Sequence, residues 1–344
     1  MRNLLLVVSL VLSVVIGMAV ARGGTPATRA AKSKPVIGLS LDTLKEERWQ
    51  GDRDRFVKRC GELGAEVLVQ SANGDDATQM KDVESLIASG VDCLVIVPHD
   101  GVAMGAAVAK AKAAGIPVLA YDRLIMNCDL DLYATFDNHD VGRQQARFLV
   151  ERLGGKGSIV RIYGAPTDNN AKLFKAGQDE VLAPLIASGA ITVVHEDWAE
   201  DWKPENAKKI TAAAITRGAP FAAILASNDG TASGAIQALI EERLPGIIVT
   251  GQDAELAACQ RIAAGSQAMT IYKPLKTLAN GAAELAVGLA KREVVVATGQ
   301  LDNGKRIVPA CFYPVVTVTK DNLDATVIAD GFQSAAEVWR GVTR

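Results

Sequence analysis

Short apolar runs and longer segments with a helical repeat alternate along this 344-residue chain. Runs of about four to eight aliphatic and β-branched residues, such as 116–121, are typical of strands that are buried on both faces. In segment 47–63, Phe56 and Cys60 recur at helical spacing, which predicts an amphipathic helix. Because strands and helices alternate with short connections, the pattern predicts parallel sheets with right-handed crossovers.

The same criteria, applied to the whole chain, divide it into two similar sets of elements. The predicted strands are 36–42, 65–70, 92–97, 116–121, 131–138, 158–163, 191–196, 222–227, 247–251, 268–272 and 312–319. The predicted helices are 47–63, 76–89, 102–114, one from about 139, 171–187, 204–217, 231–243, 254–264, 275–291 and 330–342. The expected fold is therefore α/β, with two doubly wound parallel-sheet domains. We expect the chain to cross between them near residues 138, 266 and 309.

Four of the predicted strands run directly into a carboxylate, at Asp42, Asp122, Asp229 and Asp253. Arg123 follows the second of these. Ligands of open α/β sheets bind beyond the carboxyl ends of the strands. The sequence therefore predicts a polar binding site between these strand ends.

The common enzyme signatures are absent from this sequence. It has no G-x-S-x-G elbow, no G-x-x-x-x-G-K-[ST] phosphate loop and no H-E-x-x-H helix. The three histidines lie far apart, and the five cysteines form no C-x-x-C pair, so neither a metal site nor a redox motif is predicted. A paired-carboxylate hydrolase remains an alternative, but Arg48, Arg123 and Lys273 would keep such acids ionised, whereas a general acid needs a raised pKa.

A neutral polyol fits the candidate residues better than a reacting substrate. Carboxylates, amides and basic side chains together match the paired hydroxyls of a sugar, while the opposite charges neutralise one another. Trp49, Trp198 and Trp202 lie near predicted strand ends and could cover the apolar face of a sugar ring. Asp229, which follows Asn228, is expected to cap a helix instead.

The N-terminus indicates export. Residues 1–21 combine Arg2, an apolar run and the small-residue pattern Ala19-Val-Ala21, which predicts a secretory signal peptide; an uncleaved anchor is the alternative. Residues 22–34 are then a tether. The formal net charge of −2 and the lack of a basic patch argue against nucleic acid as a partner.

Several segments together resemble the type I periplasmic sugar-binding proteins that serve ABC importers, and within that family the xylose-binding branch. The resemblance extends over roughly residues 35–320, and it is carried by 47–50 (ERWQ), 70–74 (QSANG), 120–123 (AYDR), 168–174 (DNNAKLF), 226–229 (ASND), 251–253 (GQD) and 271–274 (IYKP). It implies two lobes that are joined by three crossover segments and close on one pyranose. The N-terminal lobe would comprise 35–138 and 270–308, the C-terminal lobe 139–269 and 309–330, and residues 331–344 would be a tail.

The resemblance also implies the residues that contact the sugar. These are Arg48, Trp49, Asp122, Arg123, Asn169, Asn170, Trp202, Asn228, Asp253 and Lys273. Asp42 and Lys172 would contact these residues without touching the sugar. The resemblance implies no catalytic residue, cofactor or metal ligand.

The expected function is that of a monomeric, non-enzymatic periplasmic receptor. It would capture a monosaccharide by hinge closure and deliver it to the membrane subunits of an ABC importer. The expected monosaccharide is D-xylose. The alternatives are a different pentose or hexose, or a sensor role in which the sugar signal passes to a chemoreceptor or a sensor kinase.

Overall fold

The computed structural model describes residues 34–342 and residue 344. The predicted signal peptide 1–21 and all but the last residue of the predicted tether 22–34 lie outside the described residues. Within 34–342, no helix has the length and apolar character needed to cross a membrane.

Strands and helices alternate through most of the described chain. The strands are β1 (Val36–Leu41), β2 (Glu66–Ser71), β3 (Cys93–Val97), β4 (Val118–Tyr121), β5 (Leu132–Phe136), β6 (Gly157–Tyr163), β7 (Ile191–Trp198), β8 (Ala223–Ala226), β9 (Ile248–Val249), β10 (Thr270–Tyr272), β11 (Gly299–Asp302), β12 (Ile307–Tyr313) and β13 (Val316–Val318). The α-helices are α1 (Glu47–Glu62), α2 (Asp76–Ala88), α3 (Gly105–Ala113), α4 (Asn138–Arg152), α5 (Asn169–Ala187), α6 (Pro204–Thr216), α7 (Asp229–Glu241), α8 (Leu256–Ala264), α9 (Leu275–Ala290) and α10 (Ala335–Val338). Shorter helical segments are Glu200–Trp202, Lys320–Asn322 and Asp324–Ile328.

The strands form two main sheets. A seven-stranded sheet has the order β11-β12-β5-β4-β3-β1-β2, and a four-stranded sheet has the order β7-β6-β8-β9. All neighbours in both sheets are parallel except the edge pair of β11 and β12. β10 and β13 form a separate antiparallel pair. The predicted α/β fold with two parallel sheets is therefore confirmed.

Helices cover both faces of each main sheet, which explains why the central strands are mostly apolar. In β3, β4 and β5 every residue is buried. Apolar side chains of α1 and α9 pack on one face of the large sheet, and those of α2 and α3 pack on the other. The small sheet lies in the same way between α4 and α5 on one side and α6 and α7 on the other. A strand that is buried on both faces cannot alternate polar and apolar residues.

The five cysteines are buried and free of disulfide bonds. Burial raises the pKa of the Cys60 thiol to about 12 and that of Cys128 to about 11, so both are unreactive thiols near neutral pH. Cys60 and Cys93 belong to the core of the large sheet, and Cys259 lies on the buried face of α8. These buried positions fit a structural role for the cysteines.

Three elements differ from the sequence prediction. The single late strand predicted at 312–319 is two strands, β12 and β13, and β12 pairs with β5 of the large sheet up to Tyr313. Strand β11 was not predicted. The terminal helix predicted for 330–342 is wrong in extent, because α10 is one short turn between Gly331 and Gly341, both of which have positive φ. The residue limits of the two lobes stay a prediction.

Helices α4 and α5 approach each other closely at two glycines. A Cβ atom on Gly142 would lie 2.0 Å from the carbonyl oxygen of Phe174, and one on Gly177 would lie 2.0 Å from the carbonyl oxygen of His139. Only glycine allows the two backbones to come this close. The contact also fixes the start of α5, which carries Asn170.

We expect Gly142→Ala to destabilise the fold by about 1–3 kcal/mol, because the added methyl group must push α4 and α5 apart. The matched control is Gly61→Ala in α1, where a Cβ would meet no atom within 4 Å. That change should raise stability by about 0.5–1 kcal/mol, since alanine loses less backbone entropy than glycine. Guanidinium unfolding followed by circular dichroism measures both effects. Equal midpoints for the two variants would contradict the packing argument.

Candidate functional site

A polar cavity lies where the strand ends of the two main sheets meet. Its lining comes from the residues that follow β4, β7, β8, β9 and β10 and from the N-terminal parts of α1 and α5. The lining residues are Glu46, Arg48, Trp49, Asp122, Arg123, Asp168, Asn170, Phe174, Trp202, Asn228, Gln252, Asp253 and Lys273. Of the ten residues expected to contact a sugar, the structure brings nine to this cavity. Asn169, the first residue of α5, is half-buried and is not part of the lining.

Arg48 joins carboxylates that come from different elements. Its Nη2 lies 2.7 Å from Asp122 Oδ2, and its Nη1 lies 3.3 Å from Asp253 Oδ1. Its Nε and Nη2 each donate to Asp52 Oδ2 at 3.2 Å. Lys273 Nζ lies 3.6 Å from the same oxygen of Asp253. Because Asp122 follows a strand of the large sheet and Asp253 follows one of the small sheet, Arg48 connects the ends of both sheets.

The buried charges in this network perturb one another. Burial acts to raise the pKa of Asp122, but the positive charges of Arg48 and Lys273 outweigh it and hold that pKa below its usual value. For Asp52, burial outweighs the effect of Arg48 and raises the pKa to about 6. Burial opposes the charge of Arg48, but the carboxylates of Asp122 and Asp52 raise its pKa well above the usual value. Asp122 is thus an ionised acceptor and Arg48 a permanent donor.

Arg123 forms a second connection across the site. Its Nη1 donates to Asp42 Oδ2 at 2.7 Å, and its Nε lies 3.0 Å from Asp168 Oδ2. Asp42 also contacts His99 Nδ1 at 2.9 Å, so it lies behind Arg123 and outside the cavity lining. Lys172, for which a supporting role was also expected, is exposed on α5 and does not line the cavity.

Two tryptophans provide apolar surfaces. The ring of Trp49 lies against both guanidinium groups, with its centroid 4.2 Å from Arg48 Cζ and 5.2 Å from Arg123 Cζ. Trp202 Nε1 donates to Asp168 Oδ2 at 3.2 Å, which fixes the orientation of its indole. Trp198, the other candidate, stacks on a tyrosine of β6 and is not part of the lining.

Two asparagines at helix starts also line the cavity. Asn170 Nδ2 donates to both the side-chain and the backbone oxygen of Asp122 at 3.0 Å. Asn228 is the N-cap of α7, and its Oδ1 accepts from Thr231 N at 2.8 Å. The prediction that Asp229 is the cap is therefore wrong, because the N-cap is Asn228, one residue earlier than expected.

Asp229 instead braces the turn that presents Asp253. It is fully buried, and its carboxylate accepts from Gln267 Nε2 at 2.8 Å, Thr270 Oγ1 at 2.9 Å and Glu255 N at 3.1 Å. Burial, together with the nearby charge of Asp253, raises its pKa to about 7. These bonds secure both ends of the segment between β9 and β10.

The backbone is strained at several cavity residues. Asp122 has a φ of 61°, Trp202 one of 57° and Asp253 one of 97°. Non-glycine residues rarely adopt positive φ, and they do so where the surrounding structure forces it. At Asp122 and Asp253 the ion pairs of Arg48, and for the Asp253 turn also the carboxylate of Asp229, hold the backbone in this conformation. The strain turns the side chains of Asp122 and Asp253 toward the cavity.

Four lining residues were not among the predicted contacts: Glu46, Asp168, Phe174 and Gln252. Gln252 Oε1 and Glu46 Oε2 are buried yet have no hydrogen-bond partner among the described residues. A buried acceptor without a donor is unfavourable, so both oxygens are ready to accept from a ligand. The position of Gln252 directly before Asp253 could have revealed it. Glu46 carried no signal, because its place depends on where α1 begins.

We expect Arg48→Met to cost about 3–5 kcal/mol of stability at pH 7, because it leaves buried carboxylates without a counter-charge. Without Arg48, Asp52 and Asp122 titrate at a higher pKa in the folded chain than in the unfolded chain. The penalty is therefore largest at neutral pH and shrinks as the pH falls toward about 4, the unfolded value. Urea unfolding at pH 7 and pH 5 measures this difference.

Arg53→Met is the control for that variant, since Arg53 pairs only with the exposed Asp54 among the contacts of the described residues. It should change stability by less than about 1 kcal/mol at either pH. An Arg48→Met penalty of the same size at both pH values would contradict the electrostatic explanation.

Comparison with known proteins agrees with this architecture. Residues 37–293 match the periplasmic binding protein domain family. The chain is 49% identical over 313 residues to the D-xylose-binding periplasmic protein of Haemophilus influenzae, covering 90% of this chain and 94% of that protein. It is also 49% identical over 312 residues to the protein of the same name from Escherichia coli, again covering 90% of this chain and 94% of the relative.

A solved structure is similar as well. The solute-binding protein of a carbohydrate transporter from Chloroflexus aurantiacus, in complex with D-glucose, superimposes with a TM-score of 0.82. It is 38% identical, and the alignment covers 89% of this chain and 98% of the other. The family match and these relatives together show that the chain belongs to the periplasmic binding protein family.

Proposed function

We propose that this protein is a periplasmic receptor that binds one monosaccharide, D-xylose, in the cavity between the two sheets and delivers it to an ABC importer. The observation that carries the proposal is the buried set of carboxylates, amides and basic side chains around Arg48. The relatives that are 49% identical are named for D-xylose and for the periplasm, which supports both the sugar and the location.

The chemistry of the cavity suits a neutral polyol. Asp122, Asp168 and Asp253 each already have a basic partner, so a ligand does not need a charge of its own to balance these carboxylates. Hydroxyl groups both donate and accept, and they can therefore satisfy the carboxylates, the unpartnered oxygen of Gln252 and the donors of Arg48 and Lys273 at once. Trp49 and Trp202 supply apolar faces for the C–H groups of a sugar ring.

Closure of two lobes on the sugar is the proposed mechanism. Asp122 and Arg123 follow β4 of the large sheet, while Asn228 and Asp253 follow β8 and β9 of the small sheet. A sugar that contacts both groups binds better to the closed arrangement than to an open one, and so shifts the population toward it. The importer's membrane subunits would then recognise that closed form.

Binding without catalysis is part of the proposal. Burial raises the pKa of Asp168, and a raised pKa is what a general acid needs. Its Oδ2, however, faces the donors of Arg123 and Trp202, so that oxygen serves as an acceptor that orients both side chains.

The receptor would act as a monomer. A sensing role through a chemoreceptor or a sensor kinase would use the same closed form.

Isothermal titration calorimetry with D-xylose, D-ribose, L-arabinose and D-glucose tests the function. We expect D-xylose to bind most tightly and Asp253→Ala to raise its Kd by about tenfold to a hundredfold, as for loss of a charged hydrogen-bond partner. Asp54→Ala is the control, because Asp54 is exposed on α1 away from the cavity, and it should leave the Kd unchanged.

Each other outcome has a definite meaning. Tighter binding of D-glucose or another of the four sugars would preserve the receptor and overturn the choice of ligand. No binding of any of them would overturn the proposed function.

A further inference from the structure

The C-terminal segment 323–339 packs on the elements that follow the Asp253 turn. Val327 and Val338 are fully buried in a cluster with residues of α8 and β10. The ring centroid of Phe332 lies 5.2 Å from that of Tyr272 in β10. This part of the chain lies beyond residue 293, where the family match ends. The buried valines and the contact between Phe332 and Tyr272 attach segment 323–339 to α8 and β10.

One side chain of this segment reaches the opposite side of the site. Gln333 is buried, and its Nε2 donates to the carbonyl oxygen of Ala254 at 3.1 Å and contacts Glu47 Oε1 at 3.4 Å. The other oxygen of Glu47 accepts from Leu256 N at 3.3 Å. Glu47 and Gln333 thus link the start of α1 to the start of α8.

The two ends of this link each lie next to a residue of the cavity. Ala254 follows Asp253, and Glu47 precedes Arg48. Helix α1 packs on the large sheet, whereas the Asp253 turn leaves the small sheet. The link therefore parallels the ion pair of Arg48 and Asp253 on the side away from the ligand.

We propose that the C-terminal segment is a clamp, in which Gln333 joins α1 to the Asp253 turn and favours the arrangement where both sheets contact the sugar. Gln333 is a positioning residue, because it does not line the cavity and acts through Glu47 and Ala254. Arg55 adds to the same connection, with its Cζ 5.9 Å from the ring centroid of Phe332. The inference rests on the proposed function, since it concerns the closure that sugar binding requires.

A clamp and a sugar contact have different signatures. A residue that contacts the sugar changes the selectivity between sugars, because each sugar presents different hydroxyls to it. A residue that only favours closure changes the fraction of binding-competent protein. Its loss therefore raises the Kd for every sugar by the same factor. The ratio of two Kd values therefore distinguishes the two roles.

Calorimetric titration of the full chain tests the clamp, with D-xylose and with whichever of D-ribose, L-arabinose and D-glucose has the next lowest Kd. Gln333→Ala should raise both Kd values by the same factor, about two- to tenfold, which corresponds to one net hydrogen bond. Glu47→Ala should do the same, and the double variant should be no weaker than the weaker single variant, because each removes the same link.

The matched control is Gln260→Ala. Gln260 Nε2 also donates to a backbone carbonyl of the segment, that of Glu337, at 3.0 Å, but this bond stays between α8 and the segment and does not reach α1. It should leave both Kd values unchanged. Unchanged affinity in Gln333→Ala, or a changed ratio between the sugars, would overturn the clamp.

Small-angle X-ray scattering of the sugar-free chain provides a readout that does not depend on binding. If the unmodified protein binds none of the sugars, the proposed function fails and scattering alone decides the clamp. A larger radius of gyration in Gln333→Ala than in the unmodified chain and in Gln260→Ala would support it. Equal radii in that case would overturn it.

Discussion

The site depends on one buried guanidinium. Arg48 contacts Asp52 within its own helix, Asp122 at the end of a large-sheet strand and Asp253 at the end of a small-sheet strand. An isolated buried charge would be prohibitively costly, and three buried carboxylates without a cation would be worse. These buried charges are stable only when all of them are paired. The pairing therefore requires α1 and the strand ends of both sheets to lie in their observed positions.

This constraint also explains the character of the ligand. Because Arg48 and Lys273 already balance the carboxylates, an additional charge in the cavity would be unpaired, whereas hydroxyl groups can insert between donors and acceptors at little electrostatic cost. A sugar that lacks one such hydroxyl would leave a buried charged group without a partner. The same ion pairs that hold the site in shape therefore make it selective.

The part of the site that follows from sheet geometry could be predicted from sequence. Asp122 and Asp253 end apolar runs, and the carboxyl ends of parallel strands meet at one edge, so their convergence needs no knowledge of relatives. Asn170 was found only through the resemblance, whereas Lys273 directly follows the predicted strand 268–272. No local pattern distinguishes Asn170 from Asn169, and only the helical phase of α5 directs one of them to the cavity.

The elements that were missed are those whose stability is tertiary. Strand β11 (Gly299–Asp302) has no apolar run, and it forms because β12 offers it an antiparallel edge. The Asp229 carboxylate looks like a cap from its neighbours in sequence, yet its partners Gln267 and Thr270 lie about forty residues further along the chain. Local propensity is a weak guide where distant partners decide the conformation.

Support for the strained turn illustrates how these distant contacts serve the site. Asp253 and Ala254 both have positive φ, an arrangement that would relax if nothing held it. Asp229 holds the turn from the start of α7, and Gln333 holds it from the C-terminal segment. Neither residue lines the cavity. Because both contact the backbone of the turn and do not line the cavity, we expect them to affect how readily Asp253 meets a sugar, and not which sugar is preferred.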